Sequence, residues 1–531
     1  MSANSNPFSE LDPALLAQLK TSESYPLFEK LQAALVLSQQ RVERLERENQ
    51  LLRELRRRLL LEKYGSAGEQ LSDEQLELLE LEPGVSRAEV QAESGREQLK
   101  LPLRAPRQHP GRQELPAHLP RVEKIIARSP EQSLCSQCGK ETKVIGYETS
   151  EQLEVEPARY FVVVTKREKC ACPECEEQGV RCAALPVRII DKSLASDRVV
   201  VDTVVRKYAD HVPLYRQSAI LQRDTGINLS RATLDGWVMR VGELLRPISA
   251  AMGRELLQGS YLQADETSVG VQTHDGQGKN HRAYLWQYSQ PGATVVFDFR
   301  MGREREGPKQ FLGNFEGILQ SDGYGAYDQV GGPKIVHAAC WAHARRKFFE
   351  ALTLNPQDQT LIRMVAQMDQ LFAIDAQSAK EGLSQLDRHQ VRLEKARPLL
   401  EQLKVEILAA RGGALPKSAF AKACDYTLTL RNRLSRFLEY PELELSNNLA
   451  ENAMRPVALG RKNWIHIGSK EAGPRVAAIL SIVETCRRLK LPIRDYLGSV
   501  LPGLADLSIQ RVAQLTPSAW AAHNLTIAST V

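Results

Sequence analysis

The first long pattern of apolar positions runs from Leu31 to Lys63 and has a heptad period. The two core positions of this repeat hold Leu35, Val42 and Asn49 and, in the other register, Leu31, Leu45, Leu52 and Leu59. Because a single buried asparagine often specifies a parallel pair of helices, the pattern predicts a short coiled coil and a homodimer formed through it. Ser38, Arg56 and Lys63 interrupt the repeat, so a solvated helix packed on its own chain is the alternative.

Periodicity is then lost between about residues 81 and 120, where "LPLRAPRQHPGRQELPAHLP" is rich in proline and polar residues. Such a composition is typical of an extended linker. The residues after it include "ARYFVVVTKRE", a run of β-branched and aromatic residues that predicts a strand. A separate small β unit is therefore expected to follow the linker.

Helical spacing returns from Pro213 to Leu245. "DTGIN" interrupts the pattern, and Ser230 is placed to cap a second helix that carries Leu234 and Trp237. Two helices joined in this way predict a helix-turn-helix, in which residues near the start of the second helix, here Arg231 and Thr233, would contact bases. An ordinary helical hairpin fits the same pattern equally well.

Apolar runs with a β pattern occur at 261–271, at "HRAYLWQYS", at "ATVVFDFR" and before Asp322. Between Pro356 and Leu438 the pattern is helical throughout, with runs such as "LIRMVAQMDQLFAI". The chain is thus expected to be a multidomain α/β protein whose β-rich core is interrupted by an all-helical insertion.

Composition narrows the class of protein. The chain has 531 residues, enough for several domains, and a net charge of +5 that is too small to indicate a polyanion partner by itself. The N-terminus lacks the features of a signal peptide and no apolar run is long enough for a membrane span, so a cytoplasmic protein with no membrane partner is expected. Nine cysteines in such a chain favour reduced thiols or metal ligands over disulfides.

Four of these cysteines form two Cys-x-x-Cys pairs, at Cys135 and Cys138 and at Cys172 and Cys175. Two such pairs can supply the four thiolates of a tetrahedral structural zinc site. Cys170 and Cys182 are spare thiols that could replace a ligand or lie beside the site. The sequence therefore predicts a zinc-binding module with a structural zinc ion.

Acidic residues interrupt two of the apolar runs. In "YLQADETSVGV" the period of a strand places Asp265 on one face and Glu266 on the other, so the two acids cannot form one site alone. "LQSDGYGAYD" repeats the motif and places Asp322 at the end of a run. Two carboxylates on adjacent strands can share a divalent cation such as Mg²⁺, which prefers oxygen ligands.

A third acid lies in "SNNLAENAMRP", where Asn447 or Asn448 is a candidate N-cap, Glu451 falls in the early turns, and Pro456 is expected to limit the helix. From 452 to 494 there are nine Lys or Arg residues and two acids. This basic surplus suits a phosphate backbone, and Trp464 offers a ring on which a base can stack.

These words of sequence resemble one known family. "LQADETSV", "LQSDGYGAYD", "CWAHARRKFF", "LAENAMRPVALGRKNWIHIGS" and "KYADHVPLYRQ", with the two cysteine pairs, are similar to the insertion sequence 66 family of DDE transposases over nearly the whole chain. The resemblance implies an RNase H-like core with a mixed five-stranded sheet, and it matches Asp265, Asp322 and Glu451 to the catalytic acids. The family's Cys-x-x-His corresponds to Cys340 and His343, whose role is either packing or a contact to metal or DNA.

The resemblance implies Mg²⁺-dependent phosphoryl transfer, with two Mg²⁺ or Mn²⁺ ions held by the three acids. Water would free the 3′ end of the element, and the 3′-OH would then join target DNA. The implied partners are the terminal inverted repeats, target DNA and accessory proteins of the same element, in a bacterial, nucleoid-associated setting. The residues expected to contact DNA are Arg231, Thr233, Arg345, Arg346, Arg455, Arg461, Lys462 and Trp464.

The predicted division of the chain follows from these assignments. It comprises an N-terminal coiled-coil segment (1–80), the linker (81–120), the zinc-binding module (121–190), the helix-turn-helix-like segment (191–255), the first part of the core (256–352), the helical insertion (353–440), the second part of the core with Glu451 (441–490) and a C-terminal element (491–531). The alternatives are a structure-specific nuclease on the same core, and a zinc-containing DNA-binding regulator or inactive transposase relic.

Overall fold

The computed structural model describes residues 25–64, 75, 121–123, 125, 140, 147, 160–170, 181–273 and 280–528. The chain divides into two compact units. One consists of residues 1–97 and 186–531, and the other of residues 98–185.

The first element that the structure describes in the larger unit is a long helix, α1 (Tyr25–Tyr64). The apolar side chains at its heptad positions are exposed in the single chain, Leu31 at 62% and Leu52 at 61%. The helix contacts its own unit near its C-terminal end, where the Asn355 amide donates to Glu54 (2.9 Å) and Arg57 donates to the Leu354 carbonyl (2.9 Å). Its pairing with a second copy stays a prediction.

The smaller unit contains a two-stranded antiparallel sheet of β1 (Lys169–Cys170) and β2 (Arg181–Cys182). The Arg167 guanidinium donates to the Ala183 carbonyl (3.0 Å) beside it. The four predicted zinc ligands, Cys135, Cys138, Cys172 and Cys175, lie outside the described residues.

Three helices precede the main sheet: α2 (Asp197–Tyr208), α3 (Leu214–Thr225) and α4 (Arg231–Leu256). Gly226, in the left-handed region (φ 73°), ends α3, and the Ser230 hydroxyl caps α4 by accepting the Thr233 N–H. Most of α4 is packed in the core, and its first turn is exposed. The pair therefore has helix-turn-helix connectivity, but its second helix is a long core helix.

The centre of the larger unit is a mixed sheet with the order β5-β4-β3-β6-β7. Its strands are β3 (Tyr261–Val271), β4 (His281–Ser289), β5 (Val295–Arg300), β6 (Ile318–Ser321) and β7 (Val336–Ala339), with α5 (Glu306–Leu312) before β6. The β3–β4 and β4–β5 pairs are antiparallel, whereas β6 and β7 run parallel to β3.

The sheet has six strands where five are predicted. The sixth is β8 (His466–Ile467), which pairs in parallel with Gly270 and Val271. Because β3 has eleven residues and β6 only four, the far end of β3 extends past β6 and leaves backbone groups for β8 to bind.

Helices fill the chain between β7 and the region of Glu451. They are α6 (Trp341–Leu354), α7 (Gln359–Lys380), α8 (Gln385–Val391), α9 (Arg397–Gly413), α10 (Ala419–Thr429) and α11 (Arg431–Leu434), with a π-helical turn at Arg392–Ala396 between α8 and α9. One apolar core, which includes Phe348, Met368, Leu403 and Phe437, joins these helices to β6 and β7.

The chain then returns to the sheet through α12 (Asn448–Trp464), which continues past Pro456. The predicted limit at Pro456 is therefore wrong: the proline is the ninth residue of α12, where it removes one N–H donor, and the helix continues for eight more residues. The C-terminal helices are α13 (Ala472–Arg488), α14 (Ile493–Val500) and α15 (Pro517–Ala528). Among the helices that the structure describes, none combines the length and apolar character needed to cross a membrane.

Helix α13 covers the outer edge of the sheet. Its Ser481 hydroxyl accepts the N–H of Phe297 (2.8 Å), and its Thr485 hydroxyl accepts the N–H of Val295 (3.0 Å). Gly242 on α4 allows a close approach to α13, since a Cβ at this position would lie 2.7 Å from that of Arg475. These contacts satisfy the backbone groups of an edge strand that would otherwise invite pairing with another chain.

A buried ion pair makes the helical insertion sensitive to one substitution. The Arg392 and Asp375 side chains are 1% and 2% exposed and lie 2.5 Å apart, so Arg392→Ala leaves a buried carboxylate without its cation. We expect a loss of about 3–5 kcal/mol in unfolding free energy. Arg411→Ala, which breaks an exposed Arg–Asp pair with Asp425, is the matched control and should leave the unfolding free energy nearly unchanged. Equal losses in chemical denaturation would contradict the expectation.

Candidate active site

Two of the candidate acids lie at the same edge of the sheet. In the parallel β3–β6 pair Gln263 lies opposite Gln320, so Asp265 on β3 is in step with Asp322, the residue after β6. Parallel strands end at one edge, which brings the two carboxylates together there. Gly323 has a φ of 85° and turns the chain away immediately after Asp322.

The loop that carries Asp322 is held from two sides. The Asp322 carboxylate accepts the N–H of Tyr324 (2.7 Å), and its carbonyl oxygen accepts the hydroxyl of Tyr426. Because Tyr426 lies on α10, the helical insertion contacts the backbone of this acid directly. The insertion is therefore part of the wall of the candidate site.

Glu451 reaches the aspartates from the first turn of α12. One of its carboxylate oxygens, Oε2, accepts a hydrogen bond from Arg346 (3.1 Å), and the other, Oε1, lies 3.4 Å from Nδ1 of His343. Both of these cationic side chains belong to the start of α6, whereas Asp265 belongs to β3. Four segments that are distant in sequence thus converge on one place.

The electrostatics show that these groups are close enough to interact. Burial, with the charges of Glu451 and then Glu266, raises the pKa of Asp265 well above its usual range. Burial lowers the pKa of His343, but the neighbouring Cys340 and Glu451 outweigh it and raise that pKa to about 10. The carboxylates therefore form a cluster of like charge that needs a cation.

Several buried polar atoms around Glu451 have no hydrogen-bond partner among the described residues. They are Glu451 Oε1, His343 Nδ1, Asn448 Oδ1, Asn452 Nδ2 and both amide atoms of Gln287. Gln287 is the cross-strand neighbour of Asp265 and is fully buried. Such atoms are rare in folded proteins and concentrate where a ligand or ion completes the bonding.

The donor set of the site suits a hard divalent cation. Three carboxylates and adjacent amide oxygens are the ligands that Mg²⁺ prefers. In the described part of the chain, however, no three His, Cys, Asp or Glu side chains are grouped closely enough to hold one metal ion. A bound cation would therefore have to draw the carboxylates closer together.

The opposite face of β3 carries a different arrangement. Glu266 pairs with Arg303 and accepts the hydroxyl of Tyr327 (2.8 Å). The Arg303 guanidinium stacks on the ring of Tyr324, at 3.8 Å from the ring centroid. Since the Tyr324 N–H also donates to the Asp322 carboxylate, the Glu266–Arg303 pair supports the loop of Asp322 from the opposite face of β3.

The cationic residues predicted to contact DNA have different environments in the structure. Arg345 is buried and paired with Asp369, because adjacent positions on a helix point about 100° apart and this one faces the insertion. Arg346 binds Glu451, as described above. Arg461 donates to the Thr267 hydroxyl (3.0 Å) and the Ser268 carbonyl (2.8 Å), so it joins α12 to β3.

Other predicted contacts lie at the surface. Arg231, Thr233 and Lys462 are exposed, and Arg455 is half-buried with its guanidinium 3.4 Å from the Asn452 side-chain oxygen. Trp464 is half-buried and covers Gly460, where a Cβ would lie 2.4 Å from the indole nitrogen. These side chains stay predictions as DNA contacts.

Cys340 and His343 both lie at the site. Cys340 is the buried N-cap residue of α6, and its sulfur accepts the N–H of Asn447 (3.5 Å), while His343 faces Glu451. The pair thus packs α6 against the segment that leads into α12.

Sequence reasoning missed three neighbours of the acids. Gln287 and Arg303 carry no motif, and Tyr426 lies in the insertion, far from the acids in sequence. Only the repeated glutamine of "LQAD" and "LQSD" offered a signal for the residues around the acids.

Three family models match the chain. "Transposase IS66 family" matches residues 192–475, "zinc-finger binding domain of transposase IS66" matches residues 132–176, and "Transposase C of IS166 homeodomain" matches residues 51–123. The first covers the acids of the candidate site, and the second covers both cysteine pairs.

Proteins of Sinorhizobium fredii (strain NBRC 101917 / NGR234) are similar to this chain over most of their length. The uncharacterized protein y4qI is 32% identical over 466 residues, which are 83% of this chain and 84% of the relative. The uncharacterized protein y4hP is 29% identical over 495 residues, 88% of each chain, and the uncharacterized protein y4jD is 32% identical over 431 residues, 77% of this chain and 82% of the relative.

The clustered charges predict a stabilising substitution. Asp265→Asn removes a buried charge, and its amide oxygen can still accept the N–H of Glu266 that Asp265 accepts now (2.8 Å). With a chelator at pH 7.5 we expect a higher Tm than in the wild type, by roughly 2–4 °C for each kcal/mol recovered.

The advantage should depend on pH. Because the pKa of Asp265 is higher in the folded than in the unfolded state, wild-type stability falls as pH rises from about 4 through the folded pKa, so the gain should shrink near pH 4.5. Asp425→Asn, which removes an exposed carboxylate that is paired with Arg411 and lies outside the site, is the control and should show no gain at pH 7.5. An Asp265→Asn protein less stable than the wild type at pH 7.5 would contradict the charge-cluster interpretation.

Proposed function

Because the chain belongs to the IS66 transposase family, we propose that it is a DDE transposase that cleaves the ends of its element and joins them to target DNA. The single observation that carries the proposal is the convergence of Asp265, Asp322 and Glu451 from β3, the end of β6 and α12. The mixed sheet flanked by helices supports the RNase H-like core that this mechanism requires.

The reaction has two steps at one site. Water attacks the phosphorus at the element end, the bond to the 3′ oxygen breaks, and a 3′-OH is released. That hydroxyl then attacks the phosphorus of a target phosphodiester. A new phosphorus–oxygen bond forms as the bond from that phosphorus to the target's 3′ oxygen breaks, and the target strand leaves with a 3′-OH. Two divalent cations, Mg²⁺ or Mn²⁺, would activate the attacking oxygen and stabilise the leaving one when bound to the three carboxylates.

The chain's own residues prepare this site. Arg346 and His343 neutralise Glu451 while no cation is bound, which allows three acids to remain together. Tyr426 and Tyr324 fix the Asp322 loop from the insertion and from the loop itself. Exposed Lys462 and half-buried Arg455 on α12 are suited to bind the phosphate backbone beside the acids.

DNA recognition would fall to other parts of the chain. The exposed first turn of α4, with Arg231 and Thr233, is suited to contact the terminal inverted repeats, and the zinc-binding module would assist it. The apolar stripe of α1 would join two copies as a coiled coil, as a synapse of two element ends requires. Accessory proteins of the element would act in the same bacterial cytoplasm, at the nucleoid.

The catalytic assignment predicts a selective loss. In joining of a labelled terminal oligonucleotide to plasmid with Mg²⁺, Asp322→Asn should reduce joining by roughly 10³-fold or more, with terminal-DNA affinity nearly unchanged. Asp328→Asn is the matched control: it lies in the same loop, is paired with Arg433, and should retain most activity. Cleavage without joining by the wild type would identify a nuclease, and binding without cleavage would identify a regulator or an inactive relic.

The zinc assignment predicts a stoichiometry. Elemental analysis of the purified protein should find one zinc per chain, and Cys172→Ser should remove it because three thiolates no longer close the shell. Cys182→Ser is the control, since Cys182 is an exposed thiol of β2 outside the matched residues 132–176. Zinc loss in Cys182→Ser, or its retention in Cys172→Ser, would refute this ligand set.

A further inference from the structure

A glutamine lies two residues before each aspartate, in "LQAD" and in "LQSD". Gln263 and Gln320 are direct partners in the parallel β3–β6 pair, and both are fully buried. The period of a strand places each glutamine on the same face as its aspartate. Two buried amides side by side require hydrogen-bond partners, and those partners show what the pair does.

The first partner is Tyr261, on the same strand as Gln263. The Gln263 amide donates to the Tyr261 hydroxyl oxygen (2.8 Å) and to Oε1 of Gln320 (3.2 Å), and the Tyr261 hydroxyl donates to the same Gln320 oxygen. The Gln320 oxygen therefore has two donors, one from each of the other side chains. We call these three side chains the amide clasp.

The other partners lie in the segment by which the chain returns from the helical insertion. The Gln320 amide donates to the Glu444 carbonyl (2.8 Å), and the Gln263 amide donates to the Ser446 carbonyl (3.0 Å). The N–H of Glu444 in turn points to the Tyr261 hydroxyl (3.4 Å). The clasp thus binds the return segment to the two strands that carry the aspartates.

The clasp also binds the start of α12. The first N–H groups of a helix need acceptors from outside it, and the N-cap residue Asn447 makes no side-chain cap. Its amide instead donates to the Ala264 carbonyl (3.4 Å), and the N–H of Ala450 donates to Oε1 of Gln263 (3.3 Å). The next residue is Glu451, so this bond is one residue from the third acid.

We propose that Gln263 and Gln320 are positioning residues that hold Glu451 at the metal site, acting through the return segment and the first turn of α12. The proposal rests on the function proposed above, since it concerns how the three acids are assembled. Both amides bind protein groups. Each occurs once per aspartate strand because each strand must be joined to the same returning segment.

Amides are required for this task. A methionine of similar size would fill the space but could neither donate to the carbonyls nor accept the Ala450 N–H. A glutamate would keep an acceptor but lose the donor, and it would add a negative charge beside three carboxylates. Substitution should therefore release Glu451 while leaving Asp265 and Asp322 on their strands.

Metal-directed cleavage of the protein backbone tests this. Fe²⁺ with ascorbate and peroxide generates radicals at a divalent site and cuts the chain next to its ligands, so the wild type should be cut near 265, 322 and 451. In Gln263→Met and Gln320→Met, the cut near 451 should fall by roughly 5-fold or more, with the other two cuts retained, because a misplacement of about 1 Å is enough to weaken binding.

Gln217→Met is the matched control. Gln217 is also buried, and its amide also donates to two backbone carbonyls outside the candidate site, of Thr203 on α2 (3.2 Å) and of Val212 in the loop before α3 (2.9 Å). It should lower Tm by a similar amount and leave all three cuts unchanged. Tyr261→Phe, which keeps the ring and removes only the hydroxyl of the clasp, serves if the methionine variants do not fold.

Kinetics provide a second measure. The clasp variants should lower kcat for 3′-end cleavage by about 10–100-fold, with KM for terminal DNA within about 2-fold, because ground-state DNA binding does not involve Glu451. The Mg²⁺ concentration for half-maximal rate should rise at the same time. A purely structural role would lower the amount of folded protein and leave both parameters of the folded fraction unchanged.

The outcomes are separable. Wild-type cuts near all three acids with selective loss near 451 in the clasp variants support the positioning role. Equal cutting near 451 in the clasp variants and the wild type overturns it and leaves the proposed function intact. A wild type that is cut near none of the three acids overturns the proposed metal site, and the positioning role with it.

Discussion

Repulsion between enclosed carboxylates is the constraint on which this structure depends. Burial, with the charges of Glu451 and then Glu266, disfavours the charged form of Asp265 and raises its pKa. The protein answers with cations and with hydrogen bonds: Arg346 and His343 lie against Glu451, and the loop of Asp322 is held by tyrosines. Close approach of the acids therefore costs stability at one edge of the sheet, and the contacts around them offset part of that cost.

The helical insertion makes this constraint harder to satisfy, because the third acid follows more than a hundred residues after the second. Buried polar contacts at successive positions hold the segment that leads from the insertion back to α12. Arg392 donates to the Leu443 carbonyl (2.7 Å), Gln320 binds residue 444, and Gln263 binds residues 446 and 450. Apolar packing alone would hold the insertion against the sheet, but directional bonds set the register in which the chain re-enters it.

Both faces of β3 contribute to one site. The face that carries Asp265 meets α12, where Arg461 binds Thr267, while the opposite face uses the Glu266–Arg303 pair to brace the loop of Asp322. Because successive side chains of a strand point to opposite faces, the consecutive acids Asp265 and Glu266 make different contacts. The exposed cations of α12 and α4 lie outside this framework and remain available for a nucleic-acid partner.

Much of the architecture was readable from the sequence alone. Hydrophobic periodicity indicated the β runs, the helical insertion and the long first helix. The cysteine spacing indicated the zinc module, and five short sequence motifs indicated the family. Each of these signals depends on residues that are close in sequence, so it can be read without the folded structure. The length of α12 past Pro456 and the sixth strand were missed, because each depends on what packs beside it.

Tertiary structure alone decided which polar side chains serve the site. Arg345 and Arg346 are adjacent arginines, yet Arg345 is buried against Asp369 and Arg346 binds Glu451. Tyr426, Gln287 and Arg303 come to the acids from remote elements and carry no local pattern. The sequence by itself determined the elements and the acids that they bear; the environment of each charge depended on long-range packing, because burial and hydrogen bonding are properties of the folded chain.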